Sequence, residues 1–250
     1  MATAKLSGRT ALVTGASSGI GEATAEALAR EGVKVAVSAR RQDRLDALVE
    51  RIAEAGGEAV ALVADVSDPD AAQTLVRDSE ARLGRLDILV NNAGVMYIEP
   101  IVDADLGRWR HMIELNVLGL IAATQAALPG MRTRKTGHIV NVASTAGRFP
   151  SADAAGYNAT KFGVVGFSEA LRQEVYDHNI RVTVIEPGVV ETELRDHIAH
   201  EKSQKRINDW AASMRQLQSE DIADAIVYAV SRPDHVNVNE ILIRPTDQQR

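Results

Sequence analysis

A phenol and an ammonium stand four residues apart in "AGYNATKFGVVGFSEALRQEV", residues 155–175, a segment whose pattern reads as one long helix. At about 1.5 Å of rise per residue, the side chains of Tyr157 and Lys161 come about 6 Å apart on one face. A pair at this spacing is most often two exposed residues. It is also a device for moving a proton, because a phenol ionises near pH ~10 in water and a neighbouring cation favours the phenolate. Bringing that value to about 7 takes roughly 4 kcal/mol, at ~1.36 kcal/mol per unit. One cation in water does not supply this; a dry cleft with a second positive charge does.

A second stretch with chemical potential is "TGASSGIGEATAEAL", which places Gly15, Gly19 and Gly21 after the run "TALVT". Glycine there permits positive φ and lets the backbone approach a ligand, while the helix that follows presents free N–H groups to a pyrophosphate. Turns need glycine too, but a glycine triplet between a first strand and an amphipathic helix is the setting of a nucleotide-binding loop. Roughly 20 residues later, a carboxylate would accept from the ribose 2′-hydroxyl of NAD. The residues present are "SARRQDR", and the guanidiniums of Arg40 and Arg41 suit a 2′-phosphate, which favours NADP unless both are simply solvated. Asp65 in "ADVSD" either accepts from an adenine amino group or closes an Asx turn.

The elements that must hold these residues are legible as alternating runs. Strands are expected at 10–14, 33–39, 59–64, 86–92, 137–144, 180–187 and 239–245, near-continuously apolar as in a sheet covered on both faces. Helical patterns lie between them; two end at glycine, and another starts with Asp68 as N-cap and Pro69 at its first position. The alternation predicts an α/β, Rossmann-type doubly wound parallel sheet of seven strands in one domain, residues 1–250. The polar segment at about 191–218 follows a strand end, where such sheets open their ligand crevice. It reads either as a helical substrate lid or as an ordinary surface hairpin.

Composition narrows the function. The chain has 250 residues, 45% of them hydrophobic, enough for a full core. Lys and Arg total 28 against 34 Asp and Glu, a net charge of -6, and no dense basic block occurs, which argues against nucleic acid as a partner. The run "RTRK" at 132–135 reads as a solvated helix end. There is no cysteine, so disulfides and thiolate metal sites are excluded, and no metal is expected. No signal peptide or apolar stretch of transmembrane length is evident, which makes the cytoplasm the expected location and a membrane an unexpected partner.

With the glycine loop, the "NNAG" of residues 91–94, Ser144 at the end of the fifth strand and the Tyr157/Lys161 pair, the chain resembles the short-chain dehydrogenase/reductase family over essentially its whole length. The resemblance implies that Tyr157 is the general acid/base, that Lys161 holds the nicotinamide ribose and eases ionisation of the phenol, and that Ser144 hydrogen-bonds the substrate oxygen. Asn116, on a helical face shared with Trp109, Ile113, Leu120 and Ile121, should be buried and must find partners. It either mends a helix irregularity or, as the family implies, holds a water linking the lysine to solvent. Cofactor contacts are implied for Gly15, Ser17, Ser18, Gly19, Ile20, Gly21, Arg40, Arg41, Asp65, Val66, Asn92, Ala93, Gly94, Tyr157, Lys161, Pro187, Gly188, Val190 and Thr192.

The substrate pocket is expected from Met96, Thr145, Ala146, Asp153, Leu194, Trp210 and Met214, mainly apolar. The implied activity is NADPH-dependent reduction of a small aldehyde or ketone. The segments "EALRQEV", "VIEPGVVETELR" and "EILIRPTDQ" look most like a branch of NADP-dependent hydroxy-acid dehydrogenases that includes clavulanate dehydrogenase, which suggests a secondary-metabolite intermediate. A 3-hydroxy acid or 3-oxoacyl substrate is the second reading, and a non-catalytic NADP sensor the third. Gly163 and Gly166 on the Tyr157 helix either pack within the chain or admit a second copy, and the family implies a homodimer or homotetramer.

Overall fold

Short runs of β-branched residues form one parallel sheet in the computed structural model, which describes residues 6–249; residues 1–5 and 250, the ends of the expected domain, lie outside them. The strands are β1 (Thr10–Thr14), β2 (Lys34–Ala39), β3 (Glu58–Val63), β4 (Ile88–Asn91), β5 (Gly137–Val142), β6 (Ile180–Pro187) and β7 (Glu240–Ile243). Their order is β3-β2-β1-β4-β5-β6-β7. Every pairing is parallel, with Leu12 opposite both Ala36 and Leu89 at the centre. The chain winds outward from β1 to β3, then returns to the other side of β1 as β4. A crevice therefore opens beyond the carboxyl ends of β1 and β4.

Strand periodicity divides the core between the two faces. Leu12, Leu89, Ile139 and Val182 project into one cluster, while Ala11, Val13, Val35, Val37, Ile88, Val90 and Val140 project into the other. The helices α1 (Gly19–Arg30), α2 (Gln42–Glu54) and α3 (Pro69–Leu83) connect the first four strands. Asp68 caps α3 by accepting from the Asp70 amide at 2.9 Å, with Pro69 at the first position and Gly84 at φ +84° ending it. The remaining long helices are α4 (Leu106–Ile113), α5 (Leu120–Arg134), α6 (Ala155–Val175), α7 (Glu201–Ala212) and α8 (Ser219–Val230). The basic run at 132–135 does end a helix, with Lys135 in the left-handed region.

A π-helical segment, Glu114–Gly119, joins α4 to α5. The combined run Leu106–Arg134 is, by length and composition, apolar enough to cross a membrane, contrary to the expectation that no such stretch occurs. Small and polar residues such as Asn116, Gly119, Thr124 and Gln125 break up its large apolar side chains and hide this in the sequence. Half of its most apolar window is buried inside the protein, where Met112, Leu115, Ala123 and Met131 belong to the core. Gly119 lies so close to the turn between β3 and α3 that a Cβ would overlap the carbonyl oxygen of Val66. Gly119→Ala is therefore expected to lower stability by about 1 to 3 kcal/mol, measured by chemical denaturation, because backbone atoms have to move to admit the methyl group.

Candidate active site

Tyr157 and Lys161 are both 6% exposed, so the pair is buried and not a surface coincidence. The ammonium nitrogen lies 5.7 Å from the centre of the phenol ring and donates to the carbonyl oxygen of Val142, at the end of β5, at 2.9 Å. Burial pushes the Tyr157 phenol up to about 12, with the Ser144 hydroxyl opposing it through a hydrogen bond. Burial also pushes Lys161 down to about 8. Desolvation dominates, and at neutral pH the side chain is a protonated donor; the lowering expected above calls for the charge of the oxidised nicotinamide beside that of Lys161.

Local packing sets these side chains in place. Gly156 lets the start of α6 press on Trp109, whose ring atoms would lie 2.8 Å from a Cβ there. Asn158 ties the same turn to the preceding loop by donating to the carbonyl of Ser151 at 3.1 Å. Ser144 follows β5 and caps the short turn Thr145–Gly147, accepting from the amide of Ala146 at 3.1 Å. Gly147 rests against the Lys161 carbonyl, where a Cβ would come within 2.9 Å, so the serine loop and the tyrosine helix share one contact surface.

Asn116 is 2% exposed, as its position implies. Its Oδ1 accepts from the Val95 amide and its Nδ2 donates to the Val95 carbonyl, both at 2.9 Å, with a further contact from Nδ2 to Thr160 Oγ1 at 3.3 Å. The amide thus bridges the π-helical segment to the loop after β4 and to the residue preceding Lys161. Ile113, placed on the same face by a regular helix, is instead 48% exposed, because the wider turn shifts the register.

A cleft of about 1010 Å³ runs from Arg40, Arg41 and Asp65 past Ser17, Ser18, Gly19 and Ile20 to Tyr157. Gly15, Val66, Asn92, Ala93, Gly94, Lys161, Pro187, Gly188, Val190 and Thr192 also line it, so every expected cofactor residue except Gly21 faces the cleft. Gly21 acts from behind, since a Cβ on it would overlap the Gly15 carbonyl oxygen. Gly15 and Gly19 have φ of +67° and +57°, the conformation that glycine alone adopts without strain. Ser18, the N-cap of α1, makes no side-chain bond to the helix, which leaves the amides of its first turn directed at the cleft. The cradle has the length, the glycine backbone and the cations that a phosphorylated dinucleotide requires.

Asp65 closes an Asx turn, with Oδ1 accepting from the Ser67 amide at 3.1 Å and the Ser67 hydroxyl at 2.7 Å. Burial opposes its ionisation, but these bonds and Arg40 hold its carboxyl below the usual range. The segment after β6 lies along the cleft, where a lid would lie, with Leu194, Ile207 and Trp210 lining it. Its ends are joined where Glu191 N donates to Leu217 O at 2.9 Å and Leu217 N to Val189 O at 3.0 Å.

Among the expected substrate residues, Met96, Thr145, Ala146, Leu194 and Trp210 line the cleft, whereas Asp153 and Met214 do not. Asp153 sits at φ +64° in the turn before α6, and its carboxylate pairs with Arg206 of α7 at 2.6 Å. Helix α7 ends at Ala212, so the face that carries Ile207, Trp210 and Ala211 toward the cleft does not extend to Met214. Phe149, Asn158, Glu193, Arg195, His197 and Gln248 line the cleft without having been anticipated. Sequence position signals Asn158, Glu193 and Arg195, which directly follow the expected residues Tyr157, Thr192 and Leu194.

The family model described as short chain dehydrogenase matches residues 9–203. A glycine betaine reductase of Emericella nidulans is 40% identical over 245 residues, 97% of this chain, which spans 19% of that relative's length. A metagenomic short-chain oxidoreductase solved in complex with NADP is 34% identical with a TM-score of 0.83, covering 97% of this chain and 99% of its own. The closed form of a serine dehydrogenase complexed with NADP+ is 36% identical with a TM-score of 0.88, covering 96% of each chain.

The buried ammonium has a measurable effect on stability. Because its folded value, about 8, lies below the ordinary lysine value of 10.5, the unfolded chain binds more protons between those values, and stability rises with pH across that window. Comparison of wild type with Lys161→Met by denaturation should show the wild type gaining up to about 3 kcal/mol relative to the variant from pH 7 to pH 10. A constant difference would mean that the lysine is not desolvated.

Proposed function

The chain belongs to the short-chain dehydrogenase family, and from that premise we propose that it reduces small, neutral, largely apolar aldehydes or ketones to alcohols with NADPH. The protein is an NADP-dependent oxidoreductase of that family. The observation that carries the finer reading is the buried pair Tyr157 and Lys161 beside the half-buried Ser144 in a single continuous cleft.

When bound, the reduced nicotinamide supplies a hydride to the carbonyl carbon. Tyr157, protonated because burial holds its phenol at about 12, gives its proton to the carbonyl oxygen. The Lys161 ammonium, 5.7 Å from the ring centre, stabilises the phenolate left behind. Ser144 polarises the same oxygen, a contribution of ~3 to 4 kcal/mol for a preorganised donor. Hydride and proton together balance the conversion of carbonyl to alcohol.

The substrate end of the cleft favours a neutral compound over the 3-hydroxy-acid alternative. Met96, Ile98, Phe149, Leu194, Ile207 and Trp210 form its walls. Arg195 lines it too, but its guanidinium donates to the Val190 carbonyl at 3.0 Å and to Gln216 Oε1 at 2.7 Å. Arg40 and Arg41 lie at the other end. A substrate carboxylate would meet mostly apolar surface, which is unfavourable for an unpaired charge. Oligomerisation fits the same reading: a Cβ on Gly166 would meet nothing within 4 Å, so this glycine on α6 leaves room for a second copy of the chain, as a homodimer or homotetramer.

The test is oxidation of NADPH and of NADH over a panel of neutral aldehydes and ketones and of 3-oxo acids. Turnover should prefer NADPH and neutral substrates. Tyr157→Phe should lower kcat by about 10²- to 10⁴-fold while NADPH still binds. Tight NADPH binding with no turnover across the panel would point to a sensor, and better turnover of 3-oxo acids would favour the acid reading.

A further inference from the structure

The lid begins with a carboxylate whose partners lie at the phosphate end of the cleft. Glu193 opens the short turn Glu193–His197, next to Thr192. One oxygen accepts from Arg41 Nη1 at 2.8 Å and the other from Arg44 Nη1 at 3.3 Å. The opposite side of the Arg41 fork is taken up by the glycine loop. Nε and Nη2 donate to Ser17 Oγ at 3.1 and 2.9 Å, and Nη2 donates to Ser18 Oγ at 2.9 Å. The bond from Arg41, against a burial cost and aided by Ser18 and Arg44, keeps the Glu193 carboxyl below its usual range, so it is an anion at neutral pH.

One guanidinium therefore joins the loop that faces the cofactor's phosphates to the first turn of the lid. We propose that Glu193 competes with the cofactor's 2′-phosphate for Arg41 and thereby sets how strongly the protein discriminates NADPH from NADH. The proposal rests on the NADP reading above. A phosphate that approaches this fork finds both edges engaged, and it is repelled by the carboxylate. It displaces Glu193 more readily than the neutral serines, because the carboxylate carries the like charge. Arg40, 3.8 Å from Asp65, offers a second cation to the same phosphate.

Displacement also has a consequence for the lid. The contacts of Glu191 and Val189 with Leu217 lie outside the turn and persist, so release is confined to the segment between them. NADPH then frees the lid's first turn from the glycine loop, whereas NADH, which lacks the 2′-phosphate, leaves it tied.

The experiment is calorimetric titration of the full chain with adenosine 2′,5′-bisphosphate and with 5′-AMP, for wild type, Glu193→Gln, Glu193→Ala and Arg41→Ala, each checked for folding by circular dichroism. Both side chains are 42% exposed, so solvent screening limits the effect. Glu193→Gln and Glu193→Ala should tighten the bisphosphate about two- to fivefold, leave 5′-AMP unchanged, and lose that gain when combined with Arg41→Ala. Unchanged or weaker bisphosphate binding in both Glu193 variants, with a wild type that still prefers the bisphosphate, overturns the competition alone. A wild type that binds the two ligands equally overturns the NADP reading and the proposal with it.

Discussion

An ammonium group lies in the interior of this protein beside a phenol, and desolvation works against the charge of both. Lys161 keeps its proton partly through the Val142 carbonyl, which exists as a free acceptor because β5 ends there. The site therefore depends on a strand ending at the right residue and a helix crossing that end at the right height. Gly147 and Gly156 allow the crossing, because each brings α6 into contact with backbone or ring atoms that a side chain would push away. Asn116 secures the layer beneath by joining Val95 to Thr160, the neighbour of Lys161.

The same logic connects this centre to the rest of the cleft. Strands β1 and β4 are neighbours although most of the first half of the sheet separates them in sequence, and their carboxyl ends carry the glycine loop and residues 91–94. Thr14 links the two by accepting from the amides of Asn92 and Ala93, each at 3.1 Å. The Asn92 side chain returns the contact by donating to the Thr14 carbonyl at 2.9 Å. The phosphate end and the nicotinamide end are thus fixed to one rigid seam, while the segment over them is held through charged contacts such as Arg41 with Glu193 and Arg206 with Asp153. Ion pairs that are partly exposed contribute little to stability and rearrange at little cost, which suits a cover more than a scaffold.

Much of this was legible in the sequence because it depends on local pattern. The strands declared themselves as β-branched runs, and the expected limits differ from the observed ones by a residue or two at most ends. The glycine loop, the arginines after β2 and the Tyr157/Lys161 spacing were legible for the same reason. What escaped depends on contacts between distant segments or on departures from a regular period. The π-helical turn moved Ile113 to the surface, and the end of α7 removed Met214 from the cleft. Asp153 looked like a pocket residue until Arg206 was seen to bind it. The direction of the Tyr157 shift could not be read from spacing, since it depends on how completely the phenol is buried.

The most direct test of this account is the ionisation of Tyr157 itself, followed by NMR of ring-labelled tyrosine in the protein without added cofactor, with Tyr157→Phe to assign the signal. An ordinary phenol is half ionised near pH ~10. Burial that holds this one at about 12 predicts that its signal still reports the neutral form at pH ~10, while exposed tyrosines titrate. Ionisation of Tyr157 at or below pH ~8 would contradict the claim that desolvation, and not the neighbouring ammonium, sets its state.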